Sequence, residues 1–375
     1  MESDPEISMS ITVTKPSLPD LSDFTELLKK IWESRQLTNM GVFHAQFEQA
    51  LCDYLNIEHI SLFCNGTTAL QIGLKALRVS GEVITTPFTF PATVHSIYWN
   101  NCKPVFCDIE PDSFNIDPNK IEPLITSTTS AIMPVHIYGR PSNIDAIQQI
   151  ADLHGLKVLY DAAHGFGVNQ TDGTSLLKAG DLSMVSFHAT KVFNTIEGGA
   201  LVIPNSKLKK RIDYLKNFGI ADEVTIVGQG SNGKMNELIC AYGLLQLQEI
   251  DNQIIKRKRI AERYMKNLAN VKTIIIPHEP KCQRYNYCYF PVLIDKNEFG
   301  MTRDMLYKKL RRFNIMTRRY FFPLLSEIPC YRDIPSASPE NLHVAKRISR
   351  QILCLPLYTD LTIDQVDSIC EIIGK

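Results

Sequence analysis

Leu182-Ser183-Met184-Val185-Ser186-Phe187-His188-Ala189-Thr190-Lys191, running on to Glu197-Gly198-Gly199, is the stretch around which this chain is organised. Leu182 to Phe187 reads as a short strand, and Gly198-Gly199 opens the next, Ala200 to Ile203. The turn between them presents one lysine, Lys191. Its neighbours Phe187, Val192 and Phe193 are apolar, and desolvation disfavours the ammonium form. On these residues alone a solvated loop lysine would look the same. The chain upstream separates the two.

There, strands and helices alternate. Leu21 to Trp32 and Phe47 to Leu55 have helical spacing of apolar residues, and His59 to Cys64 reads as a strand. A helix is expected over Ala69 to Leu77, a strand over Glu82 to Thr86, and a helix over Ala92 to Trp99. Next come a strand over Pro104 to Asp108, a helix over Asn119 to Ile125 and a strand over Ala131 to Val135. Asn143 to His154 is a helix stopped by Gly155, and Lys157 to Asp161 is a strand. Such alternation predicts an α/β fold, a mostly parallel sheet with helices on both faces. Ligands of such sheets sit beyond the carboxyl ends of the strands.

Helices are expected at 207–219 and 236–268, the second leaving the large domain as a long connector. After about 270 the character changes. Val271 to Ile276 and Cys288 to Ile294 read as strands, Arg303 to Phe313 and Ile363 to Ile373 as helices, giving a smaller α+β domain. The expected division is an N-terminal segment 1–20, a large domain 21–250 and a small domain 251–375, with residues 1–10 disordered.

Apolar residues make up 44% of the 375, enough for a sizeable core, and 40 Lys+Arg balance 40 Asp+Glu. No net positive field exists to gather nucleic acid. Lys207 to Arg211 and Lys256 to Arg259 are short basic clusters, read as solvated helix faces. The ten cysteines contain no C-x-x-C pair and sit mostly in apolar runs, as buried thiols of a reducing compartment do. No apolar run approaches membrane-spanning length, and Met1 to Ser10 has no apolar signal core. A cytoplasmic protein without membrane partners is expected.

Several features fall at the strand ends. Asn65-Gly66-Thr67-Thr68 joins a strand to a helix, where free N–H groups and two hydroxyls suit a phosphate; an ordinary N-cap by Thr67 or Thr68 is the alternative. Asp161 ends the strand Lys157 to Tyr160 and precedes Ala162-Ala163-His164. Its carboxylate can pair with a protonated pyridine nitrogen, keeping a ring electron-accepting. A capping aspartate or a metal ligand is the alternative, but apart from His164 no further ligand lies at metal spacing. Lys191 follows one strand later, and a partly neutral amine there can form a Schiff base with an aldehyde. Ser186 can add a hydroxyl to the phosphate site, and Phe90 can stack on a flat ring or simply pack in the core. Together these groups describe pyridoxal 5'-phosphate (PLP).

Those residues carry a resemblance. Asn65 to Leu70, Pro87 to Thr93, Pro134 to Gly139, Asp161 to His164, Ser186 to Lys191 and Glu197 to Gly199 resemble the DegT–DnrJ–StrS group of sugar aminotransferases. The similarity runs from about Leu37 to the C-terminus. It implies a fold-type I, aspartate-aminotransferase-like PLP-dependent transferase. It also implies that Lys191 holds PLP and moves protons, and that Asp161 pairs with the pyridine nitrogen. Gly66, Thr67, Thr68 and Ser186 would bind the phosphate, Phe90 would stack on the ring, and His164 would lie near the ring hydroxyl. Asn236 resembles an asparagine reaching the phosphate of a partner subunit, in a homodimer with shared active sites.

The implied reaction takes the amino group of L-glutamate to a keto carbon of a nucleotide-linked deoxysugar. A lysine rather than a histidine at position 191 favours transamination over the dehydration found elsewhere in the group. Within the group, the chain most resembles enzymes making dTDP-4-amino-4,6-dideoxy-D-glucose, a precursor of surface polysaccharide such as O-antigen. Arg318, Arg319 and Tyr320 suit a pyrophosphate and a nucleobase, or else form a surface arginine pair beside an aromatic cluster. A 3-aminotransferase and a non-catalytic PLP-fold regulator are the alternatives. A dehydrogenase would need G-x-G-x-x-G after its first strand, and none is there.

Overall fold

The computed structural model describes residues 10–269, 271 and 273–375. Apart from Ser10, the segment expected to be disordered lies outside the described residues. The larger sheet holds β1 (His59–Phe63), β2 (Glu82–Thr85), β3 (Lys103–Phe106), β4 (Thr129–Met133), β5 (Lys157–Asp161), β6 (Leu182–Ser186) and β7 (Gly199–Ile203). Their order is β1-β7-β6-β5-β4-β2-β3. β7 pairs antiparallel with both β1 and β6, and the other pairings are parallel. The first six strands therefore run in one direction and β7 runs back. The carboxyl ends of β1, β2, β4, β5 and β6 and the start of β7 share one edge. β7 is buried throughout, as its uninterrupted apolar sequence requires of a strand covered on both faces.

Helices α1 (Leu21–Ser34), α2 (Val42–Leu55), α3 (Gly66–Ala76), α4 (Pro91–Trp99), α5 (Ile144–His154) and α6 (Ser206–Leu215) accompany this sheet. The α3 helix lies close on it because Gly73 has no side chain. A Cβ there would stand 2.9 Å from Leu159 Cδ1 on β5. Next, α7 (Glu237–Leu268) runs for 32 residues, roughly 48 Å at the helical rise. It packs against α1 and α2 near one end and α11 near the other. The expected division at 250/251 falls inside this continuous helix.

The second sheet, order β10-β9-β8, is antiparallel: β8 (Ile274–Ile275), β9 (Phe290–Ile294) and β10 (Ile352–Leu355). α8 (Lys296–Phe299), α9 (Arg303–Arg312), α10 (His343–Gln351) and α11 (Ile363–Gly374) complete this part. Its core includes Leu306, Leu310, Leu353, Val366 and Ile369, and Tyr264 of α7 stacks on Phe290 at 4.8 Å. The N-terminal segment straps the two parts together. Ile11 bridges to Ile315, Val13 accepts from the Leu357 amide, and the Ser17 carbonyl accepts from Gln246 Nε2 at 2.6 Å.

Two local expectations are corrected. Asn119 to Ile125 forms two short 3-10 turns, Pro118–Lys120 and Glu122–Leu124, because Pro123 cannot donate to a helix passing through it. The strand expected over Val271 to Ile276 narrows to Ile274–Ile275, and Lys272 lies outside the described residues. α10 and β10, which follow each other without a loop, have no counterpart among the expected elements.

Candidate active site

The shared strand edge opens into a cavity of about 230 Å³. One corner is the start of α3. Asn65 caps that helix, its Oδ1 accepting from Thr68 N at 2.8 Å. The N–H groups of Gly66 and Thr67 make no hydrogen bond among the described residues and line the cavity. Ser186, at the end of β6, faces the same corner. The glycine pair at the start of β7 allows this closeness. A Cβ on Gly199 would stand 2.6 Å from Gly66 N, and one on Gly198 would stand 2.1 Å from Thr195 Oγ1.

The floor carries Asp161. It is 4% exposed, with Oδ2 accepting from Thr93 Oγ1 at 2.7 Å and Oδ1 from Ala163 N at 3.1 Å. Burial raises its pKa, opposed by those two hydrogen bonds and by the charge of Lys191. Thr93 is held in turn by Thr89, hydroxyl to hydroxyl at 2.8 Å. His164 Nδ1 accepts from Tyr138 N at 3.2 Å, which assigns its proton to Nε2. Burial, with a smaller contribution from Lys191, keeps that imidazole neutral, its pKa well below the ordinary value. Its ring is nearly parallel to Phe321, centroids 6.2 Å apart.

Lys191 stands on the turn after β6. Its backbone N–H donates to His188 O at 2.8 Å, and its amine has no hydrogen bond or ion pair among the described residues. Burial lowers its pKa, and the charges of Asp161 and Cys288 oppose the shift. Phe90, 58% exposed at the N-cap of α4, forms part of the wall. Tyr289, Tyr320 and Phe321 close the cavity from the side of the second sheet.

The structure thus brings together Gly66, Thr67, Phe90, Asp161, His164, Ser186, Lys191 and Tyr320. It does not bring four others to this wall. Thr68 is spent inside α3, its amide on Asn65 and its hydroxyl beside Cys64. Asn236 caps α7, its Oδ1 accepting from Ile239 N at 3.0 Å. Arg319 turns away to Asp304, 3.0 Å off, between the rings of Tyr307 and Phe322. Arg318 is exposed beside Tyr320 and bridges to Cys354 through its backbone. Thr89, Thr93, Tyr289 and Phe321 were not singled out by the sequence. Thr93, in the first turn of α4, and Thr89, in the bend before it, were legible only once Asp161 was known to face Thr93.

The donor set fits PLP. Unpaired N–H groups at a helix start and a serine hydroxyl suit a phosphate dianion. A buried carboxylate suits a ring N–H, a neutral imidazole N–H suits a ring oxygen, and a depressed lysine suits an aldehyde. No group of three His, Cys, Asp or Glu able to hold a metal occurs among the described residues.

Known proteins resemble the chain in sequence and in fold. A family model described as the DegT/DnrJ/EryC1/StrS aminotransferase family matches residues 20–374. The chain is 49% identical to a dTDP-4-amino-4,6-dideoxy-D-glucose transaminase of Escherichia coli, over 98% of this chain and 99% of that one. It is 46% identical to one from Shigella dysenteriae, over 97% and 98%. Among solved structures, DesI in the presence of its TDP-sugar product superposes with a TM-score of 0.93 at 33% identity, covering 98% of this chain and 93% of that one. The Bacillus subtilis protein ntda with bound cofactor PMP gives 0.85 at 30% identity, covering 95% and 82%.

Proposed function

The chain belongs to the DegT/DnrJ/EryC1/StrS aminotransferase family and is a PLP-dependent nucleotide-sugar aminotransferase; from that premise we propose its substrates and the roles of its residues. The amino group of L-glutamate goes to the C4 keto carbon of dTDP-4-dehydro-6-deoxy-D-glucose, giving dTDP-4-amino-4,6-dideoxy-D-glucose. The observation carrying this is the near-complete coverage, at 49% identity, by the Escherichia coli transaminase of that name.

Bound in the cavity, PLP supplies an aldehyde for the incoming amine and a ring that takes up electrons. The protein's groups do the rest. The N–H groups of Gly66 and Thr67, with Ser186 Oγ, hold the phosphate. The Asp161 carboxylate, fixed by Thr93, holds a proton on the ring nitrogen. His164 Nε2 would donate to the ring oxygen, and Phe90 would cover a ring face. Lys191 Nζ would anchor the cofactor and, when released from it, would be the base that moves the proton between the carbon losing nitrogen and the carbon gaining it. Burial, which lowers its pKa, favours that exchange by disfavouring the ammonium form.

Tyr320 and Arg318 serve the nucleotide end. Arg319 does not, being committed to Asp304. Arg318→Ala should therefore raise the sugar-nucleotide KM by roughly 10- to 100-fold, the loss of one charge-assisted phosphate contact. Arg319→Ala should leave it unchanged, as steady-state kinetics can check. The enzyme works as a cytoplasmic homodimer whose product feeds surface polysaccharide such as O-antigen. The central test is an assay with L-glutamate and a panel of keto-sugar nucleotides, with NMR of the product. An amine at C3 would overturn the substrate assignment.

A further inference from the structure

A second cavity, about 610 Å³, lies between α3, α6 and residues 227–229. Lys75 and Arg78 reach it from the end of α3, and Lys207, Lys210 and Arg211 from α6, with no carboxylate on its wall. In a chain with 40 cationic and 40 anionic side chains, this is local segregation of charge. The neighbouring acids are already engaged. Lys209, on the inner face of α6, lies 3.0 Å from both Glu48 and Asp213, and Lys216 lies 2.9 Å from Asp213.

Folding accounts for only part of the cluster. Lys75 and Arg78 complement the negative end of α3, but Lys207 sits in the first turn of α6, where a cation is unfavourable. Lys207, Lys210 and Arg211 repel one another at spacings of three and four. Arg211 Nε is buried without an acceptor. Burial and then the charge of Arg78 lower the Arg211 pKa. The Tyr214 ring adds an aromatic face beside Lys210, 5.8 Å from its ammonium.

We infer that this cavity is a second binding site, for a small compound carrying linked phosphates, such as inorganic pyrophosphate or a nucleoside diphosphate. A concave site of this volume suits a small ligand rather than a protein surface. The planar guanidinium of Arg211 matches phosphate oxygens, and Nε gains its missing acceptor. The inference is independent of the sugar substrate.

The test uses PLP-loaded enzyme and a Lys210→Ala/Arg211→Ala double variant. Binding of radiolabelled pyrophosphate and of ADP is measured by equilibrium dialysis, and melting temperature with and without each compound. Wild type should bind one equivalent per chain more than the variant, with affinity that falls as salt is added. The ligand-free variant should melt at the same temperature or higher, since repulsion is relieved, and should lose the ligand-induced rise. KM for both substrates should stay unchanged. Tighter binding of ADP than of pyrophosphate assigns the site to nucleotides, and equal binding assigns it to the phosphates alone. Equal stoichiometry in wild type and variant, or a ligand-free variant that melts lower, overturns the inference.

Discussion

At the scale of single residues, the site depends on keeping one carboxylate charged where water is scarce. Burial pushes the Asp161 pKa up, and only Thr93, the Ala163 amide and nearby Lys191 pull it back. Thr93 is therefore a positioning residue for Asp161. Asp161→Asn should cost about 100- to 1,000-fold in the rate of the glutamate half-reaction, on the scale of other removed electrostatic groups. Thr93→Val keeps the shape and removes one hydrogen bond to a charged group, a loss of about 1.5–3 kcal/mol, or roughly 10- to 100-fold. Stopped-flow absorbance of the cofactor follows that half-reaction directly. The Thr93→Val loss should also come with an altered pH dependence of the absorbance, which a packing defect would not produce. An unchanged rate and pH profile would remove Thr93 from this role.

At the scale of elements, the corner proposed for the phosphate is made by backbones approaching closely, and that was only partly legible in the sequence. Asn65-Gly66-Thr67 announced itself by residue type, whereas Gly198-Gly199 read only as the opening of a strand. Which neighbour each glycine accommodates depends on β7 running antiparallel between β1 and β6, and alternation of strands and helices does not encode strand order. For the same reason Thr68 looked equivalent to Thr67, although the cap by Asn65 turns it inward. Arg319 looked like a substrate ligand because its partner, Asp304, is fifteen residues earlier on α9. Gly199→Ala should weaken PLP binding by at least about 10-fold, since the new Cβ would stand 2.6 Å from Gly66 N and displace the N–H proposed to hold the phosphate, a contact worth roughly 1.5–3 kcal/mol. Gly73→Ala, which would meet the movable Leu159 Cδ1 at 2.9 Å, should cost stability and leave PLP affinity intact. Fluorescence titration of apoenzyme with PLP separates the two, and equal losses would show the corner to be ordinary packing.

At the scale of the whole molecule, acid stability and subunit sharing are both testable. Burial holds His136 near a pKa of about 3, and burial with the charge of Lys216 holds His44 near about 4, against an ordinary 6.5. Above pH 6.5 both folded and unfolded chains keep these rings neutral. As pH falls through 6.5 the unfolded chain binds protons that the folded one refuses, so stability drops by up to about 1.4 kcal/mol per pH unit for each ring. The slope flattens only below the folded values. His136→Asn retains an acceptor for Ser142 N, now 3.1 Å from Nδ1, and should show a shallower loss of melting temperature between pH 6.5 and 4. A parallel pH profile would exclude His136. Subunit sharing turns on Asn236, which lies outside its own chain's cavity and whose Oδ1 is taken by the α7 cap, leaving its amide NH₂ for a ligand. Asn236→Ser keeps a capping oxygen and removes that amide, so it should weaken cofactor retention without unwinding α7. Lys191→Ala should abolish turnover in its own site. If Asn236 acts across a dimer, unfolding and refolding the two variants together gives heterodimers in which one site carries both defects and the other carries neither. Random pairing then restores about a quarter of wild-type sites, measurable as turnover at limiting PLP. If Asn236 served its own chain, each heterodimer site would carry one defect and the mixture would be no more active than its parents.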